Sequence, residues 1–144
     1  EHTQIIDGTV CYIRLSDDLT QSIGEPAYMF SGSSPEWADK KPEGEHYITD
    51  GPFMYRTTGG ELLLIWSTFV NHMYCQCVAK SSNGELDGEF IHLPPIITND
   101  GGHGMIFKTD DKLYLTFHTP NKSLREHPTF KELIDTGDSI VIKE

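Results

Sequence analysis

Three groupings in the sequence bring together side chains able to do chemistry. The first is Thr49-Asp50-Gly51-Pro52-Phe53, a carboxylate set directly before a Gly-Pro pair. Pro52 fixes its own backbone angle and restrains the residue before it, so Asp50 is held by a stiff backbone at the head of a strand. It can face a shared pocket there, or simply cap a turn as Asp commonly does; the residues alone leave both open. The second grouping is Asn99-Asp100-Gly101-Gly102-His103-Gly104-Met105. Glycines on both sides of His103 permit close backbone approach and leave the imidazole free of bulky neighbours, which suits a ring aimed into a channel, with a hydrogen-bonded structural histidine as the competing reading. The third is looser: Trp37, Trp66, Phe69 and Arg125 offer aromatic faces and a planar guanidinium suited to a polyhydroxylated ring. Trp66 ends an apolar run and reads first as core.

Other chemistries find no support. His2, His46, His72, His92, His118 and His127 show neither the H-E-x-x-H spacing nor a C-x-x-C partner, so no zinc signature exists. There is no G-x-S-x-G, no phosphate-binding loop and no dinucleotide fingerprint. The three cysteines, Cys11, Cys75 and Cys77, are an odd count without a disulfide framework. Cys75 and Cys77 stand two apart, which on a strand puts both on one face with Met73 and Ala79, as small buried side chains. With 22 Asp and Glu against 11 Lys and Arg, the 144-residue chain carries a formal charge of −11. It has no basic run to displace counterions from a nucleic acid or to bind an anionic membrane. Its longest apolar stretch, Leu62 to Trp66, is far short of the roughly 20 residues that span a bilayer. Because the chain opens on Glu1 rather than Met, an earlier segment removed by processing or truncation is expected.

The elements that must position these groups follow from punctuation. Gly and Pro fall in clusters at Gly24-Glu25-Pro26, Ser31 to Pro35, Gly51-Pro52, Gly59-Gly60, Asn83-Gly84, Pro94-Pro95, Gly101-Gly102 and Gly137-Asp138. Between them lie short aromatic and β-branched runs: Thr9 to Leu15, Phe53 to Arg56, Leu62 to Thr68, His72 to Ala79, Met105 to Lys108, Leu113 to His118 and Ser139 to Lys143. Short strands at this spacing predict an all-β chain. Glu126 to Asp135 also fits a helix through the capping box at Thr129 and Glu132, but it is short and has Pro128 near its head, so strand is preferred. Phe53 to Ser67 then recurs as Met105 to His118, at an offset of 52 residues that falls to 51 after the turn. Hairpins at a period of about 50 residues are the signature of β-propeller blades. The strands amount to the end of one blade and two complete ones, about two and a half where propellers close with four to eight.

Taken together, the runs Asp50-Gly51-Pro52-Phe53-Met54-Tyr55-Arg56, Leu64 to Phe69, Ala79 to Gly88, Gly101 to Phe107 and His118-Thr119-Pro120-Asn121 resemble the C-terminal half of glycoside hydrolase family 43. Ile6 to Cys11 and Arg14 to Leu19 fit the same pattern. The resemblance implies that residues 1–144 are the C-terminal portion of one five-bladed propeller domain. The implied activity is inverting hydrolysis of arabinose- or xylose-containing plant polysaccharides, arabinan and xylan. It assigns Asp50 to the general-acid position, where the family carries Glu, and His103 to the propeller centre near a calcium ion or water. Calcium is thus the implied cofactor and His103 the implied metal contact. Phe69, His103 and Arg125 become candidate substrate contacts, with Glu126-His127-Pro128 standing where the family has Glu-Arg-Pro. The general base and the carboxylate that tunes the acid's pKa fall upstream of Glu1 in the family's order.

Inverting hydrolysis needs an acid and a base roughly 6.5–9.5 Å apart with a water between them, a separation that different blades of a channel can provide. The alternative is a propeller-derived carbohydrate-binding or interaction module without catalysis. Expected partners are a carbohydrate and, for the bare sheet faces, the missing N-terminal half or a second copy; neither nucleic acid nor membrane is expected. The resemblance favours a secreted or periplasmic location, on which the residues themselves are silent.

Overall fold

The computed structural model describes residues 6–42 and 44–144. Ten antiparallel strands and, among the described residues, no helix make the chain all-β. They are β1 (Thr9–Leu15), β2 (Ser22–Ser31), β3 (Asp50–Arg56), β4 (Leu62–Val70), β5 (Met73–Ser81), β6 (Phe90–Ile97), β7 (Gly102–Thr109), β8 (Lys112–Thr119), β9 (His127–Asp135) and β10 (Ile140–Ile142). The segment that could have been a helix is β9, paired along its length with β8. The strands form a two-stranded sheet, β1-β2, and two four-stranded meanders, β3-β4-β5-β6 and β7-β8-β9-β10. These are the half blade, the middle blade and the last blade that the repeat predicts.

The repeat is structural down to its register. Met54 pairs with Leu64 and Tyr55 with Leu63, just as Ile106 pairs with Leu115 and Phe107 with Tyr114. Both hairpins break register at the same place, between Asp50 and Phe53 and between Gly102 and Met105. Period-2 alternation then divides the side chains between two interfaces. In β4, Leu63 and Ile65 join Val78, Ile106, Leu115, Leu133 and Ile140 between the middle and last blades. Leu64 and Trp66 point the other way, joining Val10, Phe30, Cys75, Cys77, Ala79 and Phe90 between the middle blade and the half blade. An unbroken apolar run is what a strand buried on both faces requires. β8 is covered on one face only, and its sequence alternates accordingly: Leu115 and Phe117 are buried while Tyr114 and Thr116 are part-exposed.

Polar clasps fix the two full blades against each other. The Asp135 carboxylate accepts hydrogen bonds from the Tyr55 hydroxyl at 2.8 Å, the Thr58 amide at 2.8 Å and the Gly137 amide at 2.7 Å. Burial acts to raise its pKa, but these donors outweigh it and hold the group below its ordinary value. Tyr55 responds in the opposite sense, pushed up to about 12 by burial and by that same carboxylate. Deeper in, the fully buried Gln76 accepts from the Gly104 amide at 2.7 Å and donates to the Trp66 carbonyl at 2.8 Å.

Candidate functional site

The two register breaks meet where the middle and last blades abut. Gly51 and His103 occupy equivalent places in the repeat, and both have left-handed backbone at φ 54°. Gly51 accepts this freely and has no side chain to keep the strands apart; a Cβ there would lie 2.9 Å from the His103 Cα. His103 has a Cβ, so the same conformation costs it about 1–2 kcal/mol. Strain of this kind persists only where surroundings impose it. Here the His103 amide donates to Ser67 Oγ at 2.7 Å, flanked by the Gly101 amide on the Tyr74 carbonyl at 2.9 Å. Gly102 is required for this fit, since a Cβ would come within 2.6 Å of the Tyr74 ring and 2.7 Å of Ser67 Oγ.

The result is that Asp50 and His103, 53 positions apart in sequence, are side by side: Asp50 Oδ1 is 3.1 Å from His103 Nδ1. The other carboxylate oxygen, Oδ2, accepts the Tyr74 hydroxyl at 2.7 Å. Burial, and then the neighbouring carboxylate, push the Tyr74 phenol far above its ordinary value, so it remains a donor. Tyr74 is itself stacked on His118, with ring centroids 5.5 Å apart and planes at 15°. His118 Nε2 lies 3.2 Å from Asn121 Oδ1. Asp50 and His103 keep about half of their side chains exposed, at 41% and 55%. Beside them opens a cleft of about 280 Å³, lined by His103, Met105, Thr116, His118, Glu126 and His127 among others.

The remaining sequence candidates are placed elsewhere. Phe69 is buried and packs on Tyr74 with centroids 5.5 Å apart, where it supports that ring; its edge borders a separate cleft with Lys41, His72 and Asp100. Arg125 is exposed in the β8–β9 connection, and the cleft wall there is formed by Glu126, His127 and Pro128. Trp66 is core, and Trp37 packs against it at 6.3 Å. Sequence reasoning did not single out Tyr74, Ser67, His118 or Glu126 as site residues. A tyrosine on a buried strand needs a partner for its hydroxyl, but that requirement does not say which residue meets it; the strand pairing brings Asp50 there.

Calcium takes six to eight oxygen ligands. Around His103 stand one carboxylate already engaged by Tyr74 and an imidazole whose Nδ1 faces that carboxylate. Among the described residues no group of three or more His, Cys, Asp or Glu side chains gathers as a metal site. The residues present do not by themselves fit a calcium site.

Neither a protein-family model nor a curated protein matches the sequence. Solved structures do. An endo-arabinase from Bacteroides thetaiotaomicron superposes with a TM-score of 0.83 at 30% identity, covering 91% of this chain and 48% of that one. A thermostable family-43 glycoside hydrolase gives 0.78 at 18% identity, covering 98% and 50%. An exo-1,5-α-L-arabinanase from a bovine ruminal metagenomic library gives 0.61 at 18%, covering 93% and 48%. The chain spans about half the length of these proteins. The resemblance to glycoside hydrolase family 43 is borne out, and the all-β chain is part of the propeller fold of those enzymes.

Proposed function

We propose that this chain is the part of an arabinan-cleaving glycoside hydrolase that carries the proton donor, with Asp50 in that role and His103 and Tyr74 holding it. The observation that supports this most is the convergence of Asp50, His103 and Tyr74 at the seam of two blades, in a chain 30% identical to the matching half of an endo-arabinase. Tyr74 fixes Oδ2 and leaves Oδ1, the oxygen facing His103, to exchange a proton. A general acid of this kind protonates the glycosidic oxygen as the bond breaks. The water-activating base comes, on this reading, from blades outside these residues, so hydrolysis with inversion requires the completed propeller. The fit extends to arabinose- or xylose-containing chains, with arabinan preferred on the likeness to the endo-arabinase.

One observation favours a second reading, a non-catalytic carbohydrate-binding module. Both carboxylate oxygens of Asp50 already have partners within the chain, the Tyr74 hydroxyl on Oδ2 and His103 Nδ1 beside Oδ1. The two readings separate in the full-length gene product assayed for reducing-sugar release from arabinan and xylan. The catalytic reading expects release that falls in Asp50→Asn with carbohydrate affinity retained. Binding without release in the unaltered protein supports the module.

A further inference from the structure

The cleft bordered by Phe69 lies outside the Asp50 seam and has no role in the reading above. It measures about 260 Å³, and Lys41, Phe69, His72, Asp100 and Asn121 form most of its wall. The middle and last blades, each of four strands, supply it from separate places: the connection entering β3, the β4–β5 turn, the residue ahead of Gly101 and β7, and the segment after β8. It opens at the same end of the sheets as Asp50, because Asp50 pairs with Ser67 near the close of β4 and Val70 pairs with Met73 across the turn that follows. Tyr74, which holds Asp50, packs on Phe69, so the cleft stands one ring beyond Tyr74 and to the side of the Asp50–His103 pair.

Two wall residues are held in left-handed backbone. Val70 to Met73 is a two-residue hairpin turn with Asn71 at φ 49° and His72 at φ 63°, of the kind in which glycine fills the second position most easily. His72 stands there instead, its amide donating to Asp39 Oδ2 at 3.0 Å and its side chain on the cleft wall. Asp100 is at φ 61°, its carbonyl accepting the Thr119 hydroxyl at 2.9 Å and its Oδ2 accepting the Asn121 amide at 3.1 Å. Side chains kept on unfavourable backbone at one cleft point to a use for them.

The groups they present are mixed. Among the described residues Asp100 Oδ1 is left to accept, the Lys41 ammonium and the Asn121 side-chain amide are left to donate, and Phe69 adds an apolar edge. A free anion would meet the Asp100 carboxylate, and a free cation the Lys41 ammonium. A neutral sugar meets neither obstacle, since each of its hydroxyls both donates and accepts and its C–H face suits an aromatic edge. Pockets for drug-sized ligands run to about 300–1,000 Å³, so this smaller cleft suits one ring.

We propose that the cleft is a second carbohydrate subsite, taking a single pentose ring carried as a side branch by a polymer that lies across Asp50. A branch is assigned because the cleft stands beside the seam and holds one ring. The proposal rests on the carbohydrate reading of the chain and not on the part Asp50 plays in it.

Retardation of the full-length gene product in native gels containing branched or debranched arabinan tests this, with the gels run cold to limit cleavage. His72→Gly suits the turn and removes the imidazole, and Lys41→Ala removes an exposed ammonium, so both variants should hold the thermal midpoint. Each should weaken binding to branched arabinan about three- to tenfold, as the loss of one hydrogen bond implies, and binding to debranched arabinan by less than about twofold. Equal weakening on both polymers, or none on either, overturns the branch subsite and leaves the carbohydrate reading standing. An unaltered protein retarded by neither polymer overturns both.

Discussion

At the residue scale, the chemistry rests on a few atoms held in costly positions. His103 keeps a left-handed backbone that its repeat equivalent fills with glycine. His103→Gly should therefore leave thermal stability unchanged or raised, by up to about 1 kcal/mol, while removing the group beside Asp50. Differential scanning calorimetry set beside the activity of the full-length protein checks both halves; a large loss of stability would show that the imidazole is held for structural reasons. Tyr74→Phe keeps the stack on His118 and deletes the hydroxyl bond to Asp50. It should lower turnover more than it lowers affinity for arabinan, read from separate kcat and KM measurements. Asp50 and His103 were legible in the sequence because glycine and proline around them announce unusual backbone. Tyr74 was not, because nothing next to it in sequence distinguishes it from a core aromatic; its role arises from strand pairing.

At the element scale, the blades are joined by apolar faces and a few polar clasps. Asp135 has a folded pKa below its unfolded one, so its contribution to stability is present above about pH 4 and is lost as pH falls through the folded value. Asp135→Asn should lower stability at neutral pH and flatten the acid side of the unfolding profile below pH ~4, as followed by urea melts. His92 works in a higher window. Its ring sits among Phe30, Trp37 and Trp66, with centroids 4.7, 6.3 and 5.5 Å away, and neither ring nitrogen has a partner among the described residues. Burial depresses its pKa, so stability is full above pH ~6.5 and declines as pH falls towards the folded value. His92→Phe should remove that decline between pH ~6.5 and 5, and an unchanged profile would contradict it. The strands themselves were readable from turn spacing. β9 was the ambiguous one, since its capping-box residues carry a helical signal that seven residues of pairing to β8 override.

At the scale of the whole molecule, the repeat was visible as an offset of 52 residues, and the structure converts that offset into equivalent registers and equivalent bulges. The sequence also signalled which strand is covered on both faces, through the unbroken run Leu62 to Trp66, and which is covered on one, through the alternation in β8. What it did not signal is how the seam assembles a site from two blades, because that depends on two left-handed residues meeting across an interface. Reducing-sugar release from arabinan should be measured with the full-length gene product, unaltered and as Asp50→Asn, with thermal midpoints taken in parallel. Turnover should fall about 10²–10⁴-fold, the range for removing a general acid, while the midpoint holds. Turnover unaffected by Asp50→Asn in a folded protein would contradict Asp50 as the proton donor.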